Sequence, residues 1–140
     1  MTIVVGFDDS GASRAALQVA LGLATDLGDR VVVVYGVQPP GRVGDEYDAM
    51  KDAITELGQH AMARARDLGA QTGVSIEEVL IEAGAAESLI DVADQRNARM
   101  IVVGAHGPGT LRSAVLGSTT RRVMMGTTRP VLVVQAPDES

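Results

Sequence analysis

The sequence predicts an α/β protein: an open, parallel, doubly wound sheet of five strands with helices on both faces, a Rossmann-like arrangement with right-handed crossovers. Three observations carry that expectation. Short apolar runs rich in β-branched residues recur along the chain, and a stretch of helical period follows each of the first four. Most of these runs are apolar throughout rather than alternating, as in parallel strands covered on both faces. At 140 residues the chain reads as one domain, 1–140, long enough to remove roughly 65–70% of its unfolded surface from water.

The first strand is expected at Ile3–Val5 and the second at Val31–Val34. Between them Ala16, Leu17, Ala20, Leu23, Ala24 and Leu27 fall at helical spacing over Ala12–Leu27, with Gly28 as the stop. The longest helix spans Asp45–Gln71, where Tyr47, Met50, Ile54, Leu57, Ala61, Ala65 and Leu68 advance by threes and fours. Its first turn holds Asp45, Glu46 and Asp48, which complement the helix dipole. The third strand, Ile76–Ile81, alternates through Glu77, Glu78 and Glu82 and suits a sheet edge. A helix at Ala86–Arg96 buries Leu89, Ile90 and Ala93. Strand four is Met100–Val103, a short helix runs Ser118–Gly126, and strand five is Val131–Val134.

Composition narrows the function classes. The chain has no cysteine and no tryptophan, and Phe7, Tyr35 and Tyr47 are its only aromatics. Thiol chemistry, disulfides and Cys-ligated metals are excluded, and base stacking on aromatics, the usual device of single-strand nucleic-acid binders, has almost nothing to work with. Met1–Gly6 carries no basic leader, and no apolar stretch reaches the about 20 residues that cross a bilayer. The expectation is a cytoplasmic protein with neither nucleic acid nor membrane as partner. The core must come from Val, Ile, Leu, Ala and Met, with Met124 and Met125 expected as core filler.

Charge is segregated. Net charge is −6, yet Gln95–Pro137 holds Arg96, Arg99, Arg112, Arg121, Arg122 and Arg129 without one Asp or Glu. The same segment contains the glycine-rich run Gly104–Ser118, directly after strand four. Glycines at a strand end, leading into a helix, leave backbone N–H groups open to a ligand. A phosphate there would meet the N–H groups of Gly117, Ser118 and Thr119 and one or two hydroxyls. Arg121 and Arg122 in the first helical turn oppose the macrodipole unless an anion binds or they reach into solvent. Both the segregation and this conflict point to an anionic ligand.

A second strand end carries Gly6-Phe7-Asp8-Asp9-Ser10. Asp8 there accepts hydrogen bonds from ribose or adenine, or Asp8, Asp9 and Ser10 simply cap the first helix; the sequence leaves both open. His60 reads as a surface residue of the long helix. His106, between Gly104 and Gly107, is placed to meet phosphate, and with no second His or Cys nearby it makes no metal site. A Walker A loop is excluded because the only lysine, Lys51, lies in the long helix. The G-x-G-x-x-G fingerprint is missing after strand one. A phospho-receiver fails as well, since no Asp ends a following strand and no Lys follows strand five.

These residues resemble the universal stress protein family. Gly104, Gly107, Gly117 and Ser118 match its nucleotide motif G-x2-G-x9-G-(S/T) in full, Val5–Ser10 looks like its V-G-x-D-x-S, and Arg129–Val134 looks like its closing C-P-V-L-V-V strand. The resemblance implies strand order 3-2-1-4-5, ATP with Mg2+ or another adenine nucleotide in the crevice, and a homodimer pairing through Val131–Val134. It also implies that Asp8 contacts the adenosine, Val37 lines the adenine, and Gly104, Gly107, Gly117 and Ser118 hold ribose and phosphates, with Thr119 as a further phosphate ligand. Arg99 and Thr128-Arg129 depart from the family pattern, outside the nucleotide motif. The implied role is a stress or metabolic-state sensor with no catalytic residue assigned. The alternatives are a slow ATPase or autokinase at the same site, a cyclic-nucleotide binder, or a nucleotide-free interaction module.

Overall fold

A computed structural model describes residues 1–36, 45–106 and 116–136. The elements are β1 (Thr2–Gly6), α1 (Gly11–Leu27), β2 (Arg30–Gly36), α2 (Asp45–Ala70), β3 (Ile76–Ile81), α3 (Ala85–Gln95), β4 (Met100–Gly104), α4 (Ser118–Gly126) and β5 (Val131–Val134). They match the order expected from the periodicity, with bounds shifted by one or two residues. The five strands form one parallel sheet in the order β3-β2-β1-β4-β5. Strand β3 is an edge, as its alternating glutamates suggest.

Continuous apolar strands serve two cores at once. Ile3, Val5, Val31, Val33 and Val102 face α1 and α2, where Ala16, Leu17, Ala20, Leu21, Ala61, Met62 and Ala65 cover them. Val4, Val32, Val34, Ile101 and Val103 point the other way, against Leu89, Val92 and Ala93 of α3 and Val123 of α4. Period-two alternation inside an all-apolar run thus splits one strand between two helix layers. Gly28 stops α1 in the left-handed region at φ 72°, its N–H bonded to the Ala24 carbonyl.

Expectations about burial need correction in four helices. Met124 and Met125 are exposed, Met125 at 88%, because only Thr120 and Val123 of the short α4 face inward. Met50 and Leu57 of α2 are also exposed. There the inward stripe runs through Gly58, Ala61, Met62 and Ala65, since Gly58 lets the helix lie directly on the Tyr35 ring. A Cβ at Gly58 would sit 2.9 Å from Tyr35 Cδ1. Leu27, at the end of α1, is exposed too, and Ile90 is only half-buried. His60 is on the surface, as expected. Among the described residues no helix is long and apolar enough to cross a membrane.

The cationic segment does not form one patch. Arg99 donates to both carboxylate oxygens of Asp29 at 2.7 and 3.2 Å. Arg96 bonds Glu77, and Arg129 bonds Asp94, Asn97 and the Ala98 carbonyl. These three arginines precede β4 and β5 or follow α3, so they lie at the amino ends of the strands, away from the glycines. The chain's acids, absent from the segment itself, come to them from other elements. Arg112 lies outside the described residues.

Candidate functional site

The carboxyl ends of β1, β2 and β4 and the N-termini of α1, α3 and α4 surround a cavity of about 460 Å3, within the size range of small-molecule sites. Its walls are apolar where Phe7, Val34, Leu89 and Val103 line it and polar where the loops enter.

The β1 loop is held by its own side chains. Ser10 caps α1, its Oγ accepting from the Ser13 N–H at 3.2 Å. Asp8 Oδ1 accepts from the Ser10 N–H at 3.0 Å, and Ser13 Oγ accepts from the Asp8 N–H at 3.3 Å while donating to the Ser10 carbonyl. Between them Asp9 sits at φ 62°, a left-handed conformation that Asp tolerates better than most residues. Its carboxylate is drawn outward by Arg14 at 3.4 Å and Arg64 at 3.5 Å. The cap reading holds for Ser10 and not for Asp8 or Asp9. Asp8 stiffens the turn with one oxygen and lines the cavity.

The opposite wall is the end of β4 and the start of α4. Gly104 owes its identity to packing, because a Cβ there would fall 2.7 Å from Ala12 Cβ and 2.8 Å from the Ala12 carbonyl carbon. Thr120, buried in the first turn of α4, donates its hydroxyl to the Gly104 carbonyl at 2.7 Å. The Gly117 N–H bonds the Ala105 carbonyl at 2.8 Å. These two bonds clamp the α4 N-terminus beside the strand end. Gly117 is the N-cap residue, and no side chain caps that helix; α3, opening after Gly84, has none either. The cavity thus has three helix N-termini, one capped by Ser10 and two whose first N–H groups take no side-chain acceptor.

Asp8, Gly104, Gly117, Ser118 and Thr119 all line this one cavity. Val37 and Gly107 lie outside the described residues. Arg121 and Arg122 do not line it: both are exposed, and Arg122 reaches Glu87 of α3 at 4.0 Å. Their conflict with the helix dipole is relieved by solvent and by that carboxylate, so it is no sign of an anion. Three residues of the site were not foreseen. Tyr35 lines the cavity at the end of β2, its phenol pushed above the usual value by burial and then by the Asp8 charge. Thr120 and Ser13 organise the two walls from buried positions. Hydroxyl residues in a helical first turn were visible in the sequence, but which one turns inward depends on how α4 docks. Among the described residues no group of three or more His, Cys, Asp or Glu could hold a metal.

The family model described as the universal stress protein family matches residues 1–135. A universal stress protein from Thermus aquaticus is 31% identical over 96% of this chain and 98% of its own length. Among solved structures, a universal stress protein from Lactobacillus plantarum superposes with a TM-score of 0.85 at 24% identity, covering 96% of this chain and 97% of that one. Two further structures are complexes. A universal stress protein bound to cAMP has a TM-score of 0.77 at 25% identity over 98% of each chain. The Archaeoglobus fulgidus universal stress protein bound to dAMP has a TM-score of 0.72 at 26% identity, over 96% of this chain and 97% of that one. With its five-stranded order, its strand-end cavity and a family match over nearly all its length, this chain belongs to the universal stress protein family.

Proposed function

We propose that the chain binds an adenine nucleotide in this cavity, with ATP and Mg2+ as the first nucleotide to test, and serves in the cytoplasm as a dimeric sensor of stress or metabolic state. The observation that carries this reading is one cavity with opposed chemistry. Asp8, an acceptor suited to ribose hydroxyls or the adenine amine, stands on one wall, and the α4 N-terminus, with no side-chain cap, stands on the other. Backbone N–H groups there suit phosphate oxygens, with the Ser118 and Thr119 hydroxyls beside them. The cAMP and dAMP complexes of related proteins support an adenine nucleotide. Mg2+ would arrive on the phosphates of ATP, since the described residues of the cavity bring one carboxylate.

Holding fits the site better than splitting. Asp8 is the only carboxylate lining the cavity among the described residues, and its Oδ1 is engaged by the Ser10 N–H, which makes it a poor base for activating water. The proposed dimer pairs through β5, an edge strand whose Leu132 is 37% exposed.

Calorimetric titration with ATP and Mg2+ tests the site. Gly117 has φ −62° and ψ 156°, a backbone conformation open to any residue, and Gly117→Val places a side chain where phosphate is proposed to lie. Loss of ATP binding is expected, and unchanged affinity would overturn the assignment. For the dimer, Leu132→Lys tests the edge better than a change at Val133, which packs against the α3–α4 core. Sedimentation should then show monomer.

A further inference from the structure

His106 stands one residue beyond the Ala105 carbonyl that receives the Gly117 N–H, at the lip where β4 hands the chain toward α4. It lines the cavity. Its Nδ1 is buried and has no hydrogen-bond partner, the one buried side-chain nitrogen or oxygen among the described residues in that condition. Asp8, Ser13 and Thr120 of the same walls each bond within the protein.

A buried polar atom without a partner needs a reason. In a neutral imidazole one nitrogen carries the hydrogen and the other a lone pair. With Nδ1 buried, Nε2 is the ring nitrogen left to meet a ligand, and an anion beside it favours the tautomer that carries the hydrogen there. The residue as a whole is only partly buried and is part of the cavity lining. A donor on the same wall as the α4 N-terminus is matched to an anionic group there.

We propose that His106 donates a hydrogen bond through Nε2 to the phosphate of the bound nucleotide, and so sets how strongly the site prefers a nucleotide to the free nucleoside. The proposal rests on the adenine-nucleotide reading of the cavity and names the residue that reads its phosphate. It differs from the backbone cradle in being removable by mutation without touching any helix or strand.

Glutamine places an amide N–H near the position of Nε2, whereas asparagine places one near Nδ1. Calorimetric titrations with AMP and with adenosine are therefore compared for the wild type, His106→Ala, His106→Asn and His106→Gln. AMP affinity should fall roughly 10-fold in the Ala and Asn variants, the scale of one charge-assisted hydrogen bond, and return to within about 3-fold of wild type in the Gln variant. Adenosine affinity should stay unchanged in all of them, which also reports that each variant is folded. Equal losses for AMP and adenosine, no loss in His106→Ala, or rescue by Asn rather than Gln would each overturn the role of Nε2. A wild type that binds neither AMP, adenosine nor ATP would instead overturn the adenine-nucleotide reading itself, and this inference with it.

Discussion

Gly104 and Ala12 meet where β4 ends and α1 begins, and the Cβ that Gly104 lacks would lie 2.7 Å from the Cβ of Ala12. The glycine that ends β4 is thus required by helix docking, whatever binds beside it. The neighbouring atoms include Ala12 backbone at 2.8 and 3.0 Å, so no rotamer change can make room. Gly104→Ala is expected to cost about 1–3 kcal/mol by overpacking, read as a lower midpoint in urea. Gly22, inside α1 with nothing within 4 Å of its would-be Cβ, is the control: Gly22→Ala should gain about 0.5–1 kcal/mol. A neutral Gly104→Ala would mean that α1 does not pack as described.

Asp8 has a structural duty and a proposed ligand duty, and Asp8→Asn separates them. The Asn carbonyl oxygen can still accept from the Ser10 N–H, so the loop and the melting temperature should hold. ATP affinity should fall roughly tenfold or more, as one charged acceptor is replaced by a neutral one. The Tyr35 phenol should titrate at lower pH in the variant, because the Asp8 charge that helps to raise it is gone. Ultraviolet absorbance at alkaline pH checks the last point independently of any nucleotide.

Arg121 and Arg122 lie outside the cavity lining. Their replacement by Ala should change ATP affinity by less than about twofold at physiological salt, where exposed charges are screened over about 8 Å. A selective loss for ATP over adenosine would show that one of them swings into the site when phosphate binds.

Asp29 and Arg99 supply the pH prediction. Hydrogen bonds from Arg99 foremost, aided by the Met1 amine at 3.0 Å, hold the Asp29 carboxyl below its ordinary value of 3.8 in spite of burial. A carboxyl whose pKa is depressed by folding stabilises the native state above its unfolded value, and that contribution is lost as pH falls through the folded value. Asp29→Asn should therefore lower the urea midpoint at neutral pH, and the difference from wild type should close in acid below the ordinary carboxylate range. A difference that persists unchanged in strong acid would assign the loss to packing.

How much of this was legible in the sequence depended on the range of the interaction. A cap for α1 in the segment that holds Ser10, Gly28 as its stop and β3 as an edge strand follow from neighbours within a few residues. The same local reasoning misplaced Leu57, because helical period shows that α2 has an apolar stripe but not that Gly58 would turn it onto Tyr35. It also read Met124 and Met125 as core, since a nine-residue helix is too short for periodicity to choose its inner face. The arginine-rich segment misled for a different reason. Arg99 finds its carboxylate 70 residues away in sequence, and no inspection of the segment alone reveals that pairing.

The sequence by itself determined the order of elements, the doubly wound class and the two strand ends that carry unusual chemistry. Apolar runs of strand length and glycine placement are local properties, and hydrophobic burial acts on them wherever they stand. Only the tertiary structure decided which residues share the cavity. Placing β1 between β2 and β4 brings Asp8, Tyr35, Gly104 and the α4 N-terminus around one space, turns Thr120 inward, and sends Arg96, Arg99 and Arg129 to the far end of the sheet. Those outcomes depend on strand pairing and helix docking between distant segments, which residue type and spacing do not encode one position at a time.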